Sequence, residues 1–120
     1  SVLVSLNLLE KLMPKKHFLC THHFVSDETR DQYSENCKNL FSKHWFARAK
    51  SEQAECVQHW IGTADFWFCH WIADSDEAIF DLLDKLGSSE LFTTLPAEMD
   101  FFASKDNEVD DIYGVNSFVE

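Results

Sequence analysis

Six histidines and four cysteines in 120 residues carry most of the chemistry this chain can offer. His17, His22 and His23 fall in one predicted strand, His44 in a helix, and His59 and His70 in two further strands. Imidazole titrates near neutral pH, so each can act as a general base or ligate a transition metal. His22 and His23 are adjacent, which sends their rings to opposite faces of a strand. The candidate pocket set is His22, His70 and His44, with Tyr33 about three helical turns from His44. No HxH or HxxxH pair stands beside a carboxylate, so no metal ligand is assigned and no cofactor is expected. The plainer alternative is a set of core or interface histidines bonded to backbone or water.

The cysteines, Cys20, Cys37, Cys56 and Cys69, contain no CxxC pair of the kind that zinc ribbons and redox motifs use. Each lies in a predicted strand or helix, where a reduced thiol serves as a small hydrophobe. No segment has the charged start, apolar core and small-residue cleavage site of a secretory signal. Together these predict a cytoplasmic protein with free thiols. No GxSxG elbow or glycine-rich phosphate loop occurs, and Ser26 and Ser75 sit at helix caps, so a nucleophilic triad is not indicated. The carboxylates cluster at helix starts and in the tail, where helix dipoles and solvation account for them.

These side chains need a scaffold, and its centre is the stretch from Glu55 to Ala73. Two apolar, β-branched and aromatic runs, 55–61 and 66–73, flank a short Gly62-Thr63-Ala64-Asp65 link, the pattern of a hairpin. The second run is bulky on both alternating sets, Phe66/Phe68/His70/Ile72 and Trp67/Cys69/Trp71/Ala73. Such a strand needs cover on both faces. A further strand is expected over 16–24. Ser26-Asp27-Glu28 caps a helix over 27–46, with Tyr33, Cys37, Leu40, Phe41 and His44 as its inward stripe. Asp74-Ser75-Asp76-Glu77 opens a second helix over 75–86, ended by Gly87, and a last strand is expected over 98–103. Residues 1–14 read as an N-terminal extension, 15–104 as the domain and 105–120 as an acidic, then apolar, C-terminal tail.

Strand, helix, strand, strand, helix, strand is the ferredoxin-like βαββαβ order, an α+β fold with a four-stranded antiparallel sheet and two helices on one face. Strands one and three are expected as parallel central neighbours, which lets His22 and His70 share a face. In this order Lys16-His17-Phe18-Leu19-Cys20, and the hairpin from Trp60 to Ala73 leading into Asp74-Ser75-Asp76-Glu77, resemble the dimeric α+β barrel superfamily. The likeness covers roughly residues 15 to 104 and is nearest to small uncharacterised families and a nickel-binding branch. It implies a homodimer formed through the sheet face that the helices leave bare. Members include cofactor-free monooxygenases, isomerases, haem-degrading proteins and stress proteins, and no functional motif of any branch maps onto these residues.

Lys+Arg number 10 against 21 Asp+Glu, a net charge of −11, which repels nucleic acid phosphates and anionic lipid. No apolar run approaches the ~20 residues that span a bilayer. The expected function is binding of a small apolar molecule, or cofactor-free catalysis, in a pocket between sheet and helices. A nickel-type metal-binding protein and a non-enzymatic assembly module are the alternatives. Phe66, Trp67, Phe68, Trp71, Leu82 and Leu40 are expected to be buried in the assembled state. The apolar ends, Val2 to Leu12 and Ile112 to Val119, are expected to reach across a dimer.

Overall fold

The structure is a computed structural model that describes residues 14–100 and 102–106. In chain order the elements are β1 (Lys16–Phe24), α1 (Asp27–Asn36), α2 (Ser42–Arg48), β2 (Ala54–Trp60), β3 (Phe66–Ala73), α3 (Asp76–Lys85), a 3-10 turn (Ser88–Glu90) and β4 (Phe92–Met99). The strands form one sheet in the order β2-β3-β1-β4, every neighbouring pair antiparallel. This is an α+β domain whose central strands are β3 and β1, as the doubly apolar third strand required. The terminal segments expected to cross a dimer lie outside the described residues.

Three expectations need correction. The helix over 27–46 is two helices. Its polar first half, Asp27–Asn36, closes at Cys37, whose N–H reaches the Tyr33 carbonyl at 3.0 Å. Asn39 then takes a left-handed φ of 65°, a conformation asparagine tolerates better than most residues, and turns the chain into α2. The last strand is Phe92–Met99 rather than 98–103. Pro96 suggests a loop, yet among the described residues β4 pairs only with β1, and an edge strand admits a proline that donates nothing outward. Finally, β1 and β3 run antiparallel, with Leu19 opposite His70 and His22 opposite Trp67.

That register divides the sheet. Phe18, Cys20 and His22 of β1 and Trp67, Cys69, Trp71 and Ala73 of β3 are all buried on the face toward the helices. The opposite face carries Phe66 and Phe68, 44% and 36% exposed, with Trp60 beside Phe68 and Leu95 beyond Thr21. Of the residues expected to be buried in the assembled state, Trp67, Trp71 and Leu82 are already buried in the single chain, Leu40 is half-buried, and Phe66 and Phe68 are exposed on it.

Cover on the buried face is uneven. Helix α3 is capped by Ser75, whose side chain accepts the Ala78 N–H, and it buries Ile79, Leu82 and Leu83. Each such side chain contributes about 1.5–3 kcal/mol of apolar burial. Gly87, at φ 74°, follows the C-cap in the left-handed position that glycine suits. Helix α1 has a full capping box between Ser26 and Thr29, but neither α1 nor α2 buries a single residue. Helix α2 lies against β2, while α1 packs Tyr33 on Phe24, Trp67 and Phe92, and a space lined by both helices is left between them and the sheet.

Candidate thiol and imidazole site

On a regular strand, residues three apart point to opposite faces. Cys56 and His59 nonetheless both face the helices, because the pairing of β2 with β3 shifts between Cys56 and Gln58 and leaves Val57 as an extra, bulged residue. Cys56 then sits opposite Trp71 and His59 opposite Cys69, both partners on the buried face of β3. The result is a compact cluster in which one ligand atom each from Cys56, His59 and Cys69 lie within 4.8 Å of one another.

The contacts within it are specific. His59 Nδ1 is 2.9 Å from Cys69 Sγ, and Cys56 Sγ is 3.6 Å from the Gln58 carbonyl oxygen. Two thiolates side by side in the interior repel, so the pair holds at most one anion. The His59 contact favours charge on Cys69, whereas the balance of donors favours Cys56. Cys56 is pulled down to about 6, chiefly by the Cys69 thiol donating to it and, against its own burial, by His59 and Trp45. Cys69 is pushed far up, first by giving that hydrogen bond and then by burial. We take Cys56 as the more acidic member, because the neighbouring Cys69 thiol and His59 imidazole together outweigh its burial. Cys20, opposite Cys69 on β1, is pushed up to about 12 by burial and by Cys56, and remains a thiol.

Two indoles complete the surroundings. Among the described residues the N–H groups of Trp45 and Trp71 are buried without a hydrogen-bond partner, an arrangement that costs about 1–3 kcal/mol for each. Trp45 lies with its ring against His59, and Trp71 is paired opposite Cys56 on the buried face.

Above the cluster opens a pocket of about 280 Å³, walled by Tyr33, Cys37, Leu40, Trp45, Phe46 and Ile61, with His59 as a polar group on its wall. The Trp45 ring lies over His59 at 5.7 Å between centroids. A second hollow of about 390 Å³ shares Tyr33, Cys37 and Ile61 and runs between α1 and the hairpin tip. Arg30 on that side is held by Asp65 at 2.7 Å, tying α1 to the hairpin link.

The residues singled out from sequence do not form one site. Tyr33 does line the pocket, its phenol pushed up by burial and then by Cys37. His22 is 1% exposed, bonded through Nδ1 to Thr94 Oγ1 at 2.9 Å and packed between Trp67 and Phe92. Burial, and secondarily the charge of His59, holds it neutral with a pKa of about 4. His70 lies on the other face, its Nε2 2.9 Å from His17 Nδ1, because its cross-strand neighbour is Leu19 and not an inward residue. It is lowered by burial and then by His17. His44 is exposed on α2 against Phe41, since the break at Asn39 rotates the expected stripe outward. Sequence reasoning passed over Cys56, His59 and Cys69. The Cys-x-x-His spacing was the available signal, but it points to one face only with a bulge.

Compared with known proteins, no family model, curated protein or solved structure matches the chain.

Proposed function

We propose that the chain is a ferredoxin-like domain that binds a small, largely apolar molecule in the pocket beneath α1 and α2. The observation that carries this is the pocket itself: a concave, mostly apolar wall with the His59 imidazole and the side chains of Ser42 and Tyr33 as its polar groups. The ferredoxin-like reading counts α1 and α2 as one interrupted crossover, and the strand order β2-β3-β1-β4 supports it. A neutral fluorescent naphthylamine is the test probe. One saturable site per chain is expected, with Ile61→Asp weakening it about tenfold or more by placing a charge on the wall shared by both hollows. Ile61 is 64% exposed, so the variant folds. Absence of saturable binding ends this reading.

The bare sheet face supports a homodimer of the α+β barrel kind. Phe66, Phe68, Trp60 and Leu95 share that face with half-buried Leu19 and Ile72, and no helix of the described residues covers it. Its isologous pairing would bury at least ~1,200 Å², the range of a stable interface. Four free thiols suit a reducing compartment, and we assign the protein to the cytoplasm on that ground. No helix among the described residues is long and apolar enough to cross a membrane.

A further inference from the structure

We propose that Cys56, His59 and Cys69 form a three-ligand site for a thiophilic divalent cation of the zinc class, with its fourth position open to the pocket. The donor set is two sulfurs and one imidazole nitrogen within 4.8 Å of one another. Zinc holds sulfur at ~2.3 Å and nitrogen at ~2.0 Å, which sets tetrahedral ligand atoms about 3.5–3.8 Å apart. The farthest pair closes by about an ångström, and the His59–Cys69 pair opens slightly, both within the reach of side-chain rotation.

The placement is independent support. All three ligands stand on paired strands rather than on loops, and the bulge at Val57 is what turns Cys56 and His59 to one face. Bulges recur beside functional sites because they re-aim a side chain in this way. The second support is the pair of indole N–H groups. A metal-bound thiolate still accepts hydrogen bonds, and such outer donors hold and tune it. Trp45 and Trp71 supply two buried N–H groups without a hydrogen-bond partner among the described residues, Trp45 with its ring against His59 and Trp71 paired opposite Cys56. Two sulfurs, one nitrogen and an open position make the ligand count of a catalytic zinc rather than a closed structural one. His59 lines the pocket together with Tyr33 and Cys37, so the pocket is the side from which water or a small oxygen ligand would complete the shell.

The test uses the full chain, stripped by chelator and kept reduced with a non-thiol phosphine, and titrated with Co²⁺ as the probe. One equivalent should produce near-ultraviolet thiolate-to-cobalt charge transfer and the intense visible bands of four-coordinate cobalt, both displaced by Zn²⁺. Cys69→Ser and His59→Ala should lose the four-coordinate spectrum while keeping the far-ultraviolet circular dichroism of the parent. His59 is only half-buried, so its variant reads the site even if a buried cysteine variant fails to fold. Trp45→Phe keeps the ring and removes the N–H; it should retain the spectrum and weaken Zn²⁺ binding about tenfold or more. Cys20→Ala should change nothing. The proposal is overturned by absent charge transfer at excess Co²⁺, by a spectrum that survives His59→Ala, by loss of the bands in Cys20→Ala, or by a Cys56–Cys69 disulfide that persists under reductant. A chain that takes cobalt but not the naphthylamine fails the pocket reading alone, and the converse result fails this one alone.

Discussion

A buried imidazole takes its character from what it touches, and His22 touches two aromatic rings and a threonine hydroxyl. Its pKa falls from 6.5 to about 4 in the folded state, mainly through burial. The unfolded chain therefore takes up the proton first as pH drops. His22 contributes its full stability above pH ~6.5, and that contribution is lost progressively toward pH ~4, by roughly 3 kcal/mol in all. Denaturant unfolding of the wild type against His22→Gln across this window should show a difference that shrinks on acidification. A constant difference would mean that folding does not shift the pKa of the ring. Arg30 is the contrary case. Its 2.7 Å pair with Asp65 is half exposed and screened by solvent, so Arg30→Ala should leave the unfolding midpoint nearly unchanged by the same measurement.

At the scale of elements, the helices divide their labour. Helix α3 seals the sheet with Ile79, Leu82 and Leu83, whereas α1 and α2 leave space beneath them. Leu83→Ala should therefore cost ~2–5 kcal/mol, through lost burial plus a cavity that cannot collapse. Leu40→Ala, on a wall already next to empty volume, should cost ~1 kcal/mol or less. Chemical denaturation of the two variants compares them directly, and equal losses would show that α1 and the segment after it pack as tightly as α3. The element that matters most for chemistry is the bulged β2. It converts a three-residue spacing into a shared face and brings Cys56 and His59 onto Cys69.

For the whole molecule, charge and apolar surface pull in opposite directions. A net charge of −11 makes two copies repel, while Phe66, Phe68, Trp60 and Leu95 favour their association. Screening falls to about an 8 Å range at 0.15 M salt, so the proposed dimer should tighten as salt rises. Sedimentation equilibrium at micromolar concentration should show a dimer of the 14.0 kDa chain that strengthens with ionic strength. Phe68→Asp should turn it monomeric without loss of fold, because the new carboxylate points away from the core. A monomer under all salts would remove the dimer from the proposal.

The strand at 66–73 could be read from sequence to the residue, because a continuous bulky run between a turn and a capping serine has one interpretation. The same physics made β1 and the start of both capped helices legible, since alternation and caps are local signals. Tertiary structure decided what local signals do not carry. Asn39 broke the first helix through a single left-handed residue, and that break turned His44 outward. Pro96 kept its place in a strand because only one side of β4 is paired among the described residues. The facing of each histidine followed from cross-strand register, which put His22 inside and His70 outside. Above all, the cluster of Cys56, His59 and Cys69 depends on one extra residue in β2. A one-residue shift moves a side chain to the other face of a sheet. Spacing in the chain names the ligands, but only the paired strands bring them together.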